Sequence, residues 1–89
     1  MNKIELDNIR RDRAALVAEL ESAGAKIKGN TVFCPFHDDH RASGGIYQSK
    51  DDGAWRFKCL ACGAGGDVFD ICAKAAGIST AEAIEQLIR

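Results

Sequence analysis

The sequence has no long hydrophobic run; its apolar stretches are short and broken by Gly and polar residues. That excludes a membrane-crossing helix, which needs roughly 20 consecutive apolar residues. A dominant charge is also missing. Twelve Lys and Arg stand against thirteen Asp and Glu, a net charge of −1, so the chain is not a strongly basic nucleic-acid binder. Aromatics make up only 7%, and in so sparse a set Trp55 and Phe57 are claimed by a core first. With 89 residues there is no room for a polymerase, a nucleotide-binding barrel or a multi-domain enzyme, and one small domain is expected over 1–89. No repeat, linker or low-complexity tract interrupts it. Glu5 and Asp7 stand where a secretion signal would need a basic stretch and then an apolar one, so a cytoplasmic setting is expected. In that reducing compartment four cysteines favour metal ligation over disulfides.

The small net charge conceals an uneven distribution. Residues 1–23 carry four basic and five acidic side chains, residues 24–60 six and four, and residues 61–89 two and four. A polyanion would therefore meet the middle third, and only with modest attraction, since each neutralised phosphate needs its own cation.

Residues 7–23 read as one helix, opened by Asp7 and closed before Gly24, with Ile9, Leu16, Leu20 and Ala23 along one side and Val17 beside them. Arg10, Arg11 and Arg13 cluster near its start and read as a solvated face paired with Asp12 and its neighbours. Lys26-Ile27-Lys28 and Thr31-Val32-Phe33 flank Gly29-Asn30 as a hairpin. Residues 44–50 and 54–59 read as two further strands around the turn Asp51-Asp52-Gly53. In the second, period two places Trp55 and Phe57 on one face and Arg56 and Lys58 on the other. A short helix over 67–76 starts at Asp67 and stops at Gly77. Ser79-Thr80-Ala81-Glu82 is a capping box opening a last helix whose buried stripe is Ile84, Leu87 and Ile88.

Two pairs of metal-ligand residues carry the chemistry. Cys34-Pro35-Phe36-His37 and Cys59-Leu60-Ala61-Cys62 each hold two ligands with two residues between them, and residues 38–58 separate the pairs. Such spacing lets one tight turn aim both side chains at a point, and two turns complete the tetrahedron that structural Zn²⁺ prefers. Gly63 lets the chain curl round the last sulfur without a Cβ clash. Each pair follows a strand, which is how a zinc ribbon is built. Structural zinc contributes on the order of 10–16 kcal/mol in zinc-finger peptides at neutral pH, a decisive amount for so small a core. A redox dithiol at Cys59 and Cys62 would leave the matching first pair unexplained. A catalytic zinc would need an open position and a nearby base. His40 is a rival to His37, but His37 alone has the two-residue spacing. Cys72 lies among Val68, Phe69, Ala75 and Ala76 without a partner pair and reads as a small buried apolar residue.

These residues resemble the zinc-binding domain of bacterial DnaG-type DNA primases and of related phage and mobile-element primases. The resemblance covers roughly residues 25–89. It rests on Cys34-Pro35-Phe36-His37, on Ser43 six residues later, and on Phe57-Lys58-Cys59-Leu60-Ala61-Cys62-Gly63 running on through Gly65-Gly66-Asp67 into a helix. The segment from Ile78-Ser79 to Ala83 and Leu87 is similar to the family's continuation after the zinc site. The family usually follows its histidine with Lys-Thr-Pro-Ser-Phe, whereas here the stretch is His40-Arg41-Ala42-Ser43-Gly44, which lacks the rigid Pro and the aromatic but keeps a cation in Arg41. The expected architecture is a small α+β zinc ribbon: an N-terminal helix within 1–24, read from its capping and apolar spacing, then, as the resemblance implies, a ribbon over 25–66 and two helices over 67–89. The resemblance also implies one structural Zn²⁺ and engagement of a single-stranded DNA template in primer synthesis. Catalysis would then belong to another chain or to a further portion of the protein.

Residue chemistry makes template binding plausible. Lys50, Arg56 and Lys58, with Arg41 nearby, are phosphate partners, and Tyr47, Trp55 and Phe57 are stacking candidates. Three readings compete. The first is a nucleic-acid-binding ribbon serving a primase. The second is an adaptor docking on a primase, polymerase or helicase subunit without touching DNA. The third, a thiol or metal enzyme, predicts turnover in the isolated domain, and none is expected. The glycines at 63, 65 and 66 ahead of a helix hint at a phosphate-cradling loop, but Asp67 at the helix start opposes an anion there.

Overall fold

The computed structural model describes residues 3–36 and 43–88. Their elements run α1 (Lys3–Arg10), α2 (Arg13–Ser22), β1 (Lys26–Lys28), β2 (Thr31–Phe33), β3 (Gly44–Gln48), β4 (Trp55–Cys59), β5 (Gly65–Gly66), α3 (Val68–Ala76) and α4 (Thr80–Leu87). The strands form one antiparallel sheet in sequence order, with the helices packed on one face of it. This is a small α+β zinc-ribbon architecture. No helix among the described residues is long and apolar enough to cross a membrane.

The single helix expected over 7–23 is two. Asp12 takes an extended conformation, φ −90° and ψ 104°, and its carboxylate accepts a bond from Ala14 N at 3.0 Å, capping α2. A short acidic side chain satisfies free N–H groups at a helix start better than it serves in a helix interior. Asp7 accordingly lies within α1, not at its cap.

The hairpin of β1 and β2 forms as the sequence predicts, with Lys28 opposite Thr31. Only Gly29 of its two turn residues takes positive φ, at 61°. Asn30 is held otherwise: its carbonyl accepts from Ile46 N at 2.9 Å and its side chain from Arg13 at 3.0 Å. β3 and β4 pair over five residues from Gly44–Cys59 to Gln48–Trp55, slightly shorter than the runs read as strands.

Period two sorts the sheet into a dry face and a bare one. Val32, Ile46, Phe57 and Cys59 point to the helices and bury against Leu16, Leu20, Phe69 and Ile71. Gly44 is required there, because a Cβ on it would lie 2.6 Å from the Phe57 ring. Lys26, Lys28, Thr31, Phe33, Gly45, Tyr47, Arg56 and Lys58 alternate to the other face.

Asp67 and Asp70 form the reciprocal capping box of α3, and Gly77 ends it in the left-handed conformation. At Ser79 the arrangement differs from the expected box. Its hydroxyl accepts from Glu82 N and donates to the Glu82 carboxylate, both at 3.1 Å. Ala83 is the buried residue of α4; Ile84, Leu87 and Ile88 are only half-buried, because α4 packs chiefly on α3 through Cys72 and Ala73.

The arginine cluster is not a solvated face paired with Asp12. Arg10 reaches Asp67 and lies over the Phe69 ring; Arg11 donates to the Asp52 carbonyl. Arg13 donates to the Gly29 carbonyl and lies over Trp55. Each therefore ties the N-terminal helices to a distant turn or ring. No local charge pattern marks these long-range bonds in the sequence, since each spans at least 16 residues, although Arg10 also reaches Asp7 on its own helix at 3.5 Å.

Candidate metal centre and sheet face

Cys34 follows β2 directly, Cys59 closes β4, and Cys62 lies in the turn that leaves it. The three Sγ atoms lie within 4.8 Å of one another, Cys34 and Cys62 at 3.8 Å. The second turn is shaped by its backbone. Gly63, at φ 76°, donates to the Cys59 carbonyl at 3.0 Å, and Cys59 N donates to Ala64 O at 2.8 Å. In the first turn Phe36 N donates to Cys34 Sγ at 3.5 Å, a contact that favours a thiolate.

Burial pushes the Cys34 thiol up to about 12, against the lowering effect of the Phe36 N–H, and neighbouring Cys62 and Cys59 raise it further. Three crowded sulfurs, those of buried Cys34 and Cys59 and of exposed Cys62, repel one another as anions. A divalent cation removes that penalty, and a triad of thiolates at this separation suits tetrahedral Zn²⁺. The cluster thus fits one structural zinc, which supplies a rigid joint between the two halves of the ribbon.

His37 and His40 lie outside the described residues, as does Arg41. Phe36, one residue before His37, is anchored edge-to-face on Phe57 with 6.5 Å between centroids, and Lys74 Nζ lies 5.4 Å from the centre of its ring. Cys72 stands apart from the sulfur cluster, buried beside Ala73 and Ala83. Burial raises its thiol and adjacent Glu19 adds to the effect, so it behaves as the small apolar residue the sequence predicts.

The surface candidates divide between the two faces. Arg56 and Lys58 lie on the bare face, where Arg56 stands opposite Tyr47 and Lys58 opposite Gly45. Arg56 also pairs with Asp52 at 2.7 Å. Lys50 is exposed in the turn after β3, off the strands. Trp55 lies, as the period-two pattern predicts, on the face opposite these cations: it packs half-buried against the core on the helix side, under Arg13, and Phe57 is wholly buried there. The exposed aromatics are Tyr47, at 48%, and Phe33, at 39%. Phe33 was missed. Its alternation with buried Val32 marks it as outward-facing, but a three-residue strand gives that pattern little weight. Leu60, between the second pair of ligands, is 84% exposed.

Asp67 is engaged as a cap, Oδ1 accepting from Phe69 N at 2.9 Å and Asp70 N at 3.1 Å, so the glycine-rich approach to α3 is a structural turn.

Comparison with curated proteins and with solved structures gives no match. The family comparison is decisive. The sequence pattern of the CHC2 zinc finger, the zinc ribbon of the DnaG type, matches residues 2–89. Such a domain is non-catalytic by itself. The match extends over the N-terminal helices as well as the ribbon, and the chain belongs to the CHC2 zinc finger family of DnaG-type zinc-binding domains.

Proposed function

We propose that this domain holds single-stranded DNA template on the bare face of its sheet and so supports RNA primer synthesis by a primase catalytic unit during DNA replication, in the cytoplasm. Zinc completes its tetrahedron with Cys34, His37, Cys59 and Cys62, His37 being preferred to His40 by its spacing from Cys34. One observation carries the reading. The five strands contain four cations, Lys26, Lys28, Arg56 and Lys58, and no acidic residue. On the same face Tyr47 and Phe33 offer rings to bases. Cations for phosphates combined with exposed rings for bases are the elements of sequence-tolerant single-strand binding. Arg41 and Lys50 would extend the cationic track beyond the strands.

The test is a titration of labelled single-stranded oligonucleotide at low salt, repeated with Arg56→Glu and Lys58→Glu combined. Salt-sensitive binding by the parent and its loss in the double variant are expected. Unchanged affinity in a folded, zinc-loaded double variant overturns the assignment of this surface. An adaptor reading, docking on a primase, polymerase or helicase subunit, draws support from the exposed Leu60 and the net charge of −1. It predicts no salt-dependent oligonucleotide binding at all.

A further inference from the structure

The bare face is indented by a recess of about 460 Å³ lined by Thr31, Ser43, Gly45, Tyr47, Lys58 and Leu60. It exists because of one missing side chain. Gly45 lies between Thr31 and Lys58 in the same cross-strand row. Among the described residues a Cβ there would meet only the Asn30 carbonyl, at 3.4 Å, and no described side chain fills the space above it. Tyr47 stands two residues along the same strand face. Leu60 rises from the zinc turn, its backbone held by a 3.1 Å bond from Leu60 N to the Ser43 carbonyl.

The walls and the charge together restrict the occupant. Tyr47 and Leu60 give apolar surface suited to a flat ring. The Lys58 ammonium and the Thr31 hydroxyl are polar groups at its border. Among the described residues Lys58 is the one charged side chain in the lining, so the recess suits an occupant that carries negative charge beside it. A nucleotide meets all of these conditions: its base is flat and apolar on its faces, polar at its edge, and tethered to a phosphate.

We infer that this recess takes one unstacked base of the single strand, with its faces against Tyr47 and Leu60 and a flanking phosphate on Lys58. The inference rests on the proposed template reading and adds to it a defined base subsite. Phosphate attraction alone does not require the base; the recess does.

The zinc-loaded full chain is titrated with two oligonucleotides of equal length and charge, an oligothymidylate and one whose central positions are abasic. Fluorescence anisotropy gives both affinities. Gly45→Leu fills the recess from a strand position with ordinary φ and removes no charge. Leu60→Ala strips one wall at a site 84% exposed, where folding does not depend on the side chain. The parent is expected to prefer the base-containing strand by about tenfold, the scale of one base-stacking interaction. Both variants are expected to bring the preference towards unity while leaving abasic affinity and its salt dependence as they were. A parent that binds both strands alike overturns the base subsite and leaves the phosphate surface standing. Retention of the full preference in Gly45→Leu or Leu60→Ala, with zinc content intact, also overturns it. A parent that binds neither strand overturns the template reading and the subsite together.

Discussion

Arg10 and Asp67, 57 residues apart, are joined by a bond of 2.9 Å from Arg10 Nε to Asp67 Oδ2. The same carboxylate caps α3 through its other oxygen. Arg10 in turn reaches Asp7 at 3.5 Å and lies 5.1 Å from the centre of the Phe69 ring. One guanidinium thus holds α1 to the start of α3 across a half-buried contact. Arg10→Ala is expected to destabilise the zinc-loaded fold by about 1 kcal/mol. Asp67→Ala, losing cap and partner together, is expected to cost about 2 kcal/mol. Urea unfolding of both variants and of the double variant measures the coupling, and an additive double variant would show the bond to be idle.

Zinc removal should collapse the fold. With excess chelator, loss of near-ultraviolet signal and of amide protection is expected in a single transition, since the cluster sits where both halves of the ribbon meet. Cys59→Ser should prevent stoichiometric zinc uptake. Cys72→Ala should retain one zinc per chain by elemental analysis. Because the Cys34 thiol is pushed up to about 12 by burial, Cys34 is protonated at neutral pH in the metal-free pocket. Binding zinc as a thiolate complex must release that proton, so affinity should fall as pH falls from 8 to 5. A pH-independent affinity would contradict this.

Neighbouring glycines should respond oppositely. Gly44→Ala drives a methyl to 2.6 Å from the Phe57 ring and is expected to cost about 1–3 kcal/mol. Gly45→Ala points its methyl away from the core, with its closest contact at 3.4 Å, and is expected to fall within about 0.5 kcal/mol of the parent. Thermal unfolding of the two variants under equal zinc decides the matter.

The aromatics should also separate by face. Tyr47→Ala and Phe33→Ala are expected to weaken oligonucleotide binding by about 1–3 kcal/mol each while leaving stability nearly unchanged. Trp55→Ala removes a ring packed between the core and Arg13, and is expected to lower stability by about 3 kcal/mol. Equal binding losses from Trp55 and Tyr47 in folded variants would refute this division.

Local chemistry in the sequence was enough to place most elements. The Gly29-Asn30 turn, the alternation from Trp55 to Lys58, Asp67 with Gly77, and the gathering of Cys34, Cys59 and Cys62 each follow from a few residues of sequence, and each appears in the structure. What was hidden depends on distance. Asp12 has the same side-chain chemistry as Asp7, and only the three-dimensional path shows which one caps a helix. The destinations of Arg10, Arg11 and Arg13 are set by tertiary packing. So is the stacking of Arg13 on Trp55, while exposed Phe33 on the other face sits in a strand too short for its alternation to carry weight. The recess over Gly45 has no sequence signature, because it is the absence of a side chain within a row assembled from three strands.

The acid-free sheet has a counterpart in the layer behind it, where the four helices carry seven acidic residues, Glu5, Asp7, Glu19, Glu21, Asp70, Glu82 and Glu85, against the four basic ones Lys3, Arg10, Arg13 and Lys74. A nearly neutral chain therefore has helices and strands opposite in charge from front to back. In the field of a polyanion it experiences torque before it experiences much net pull, so it arrives already rotated, its strands leading.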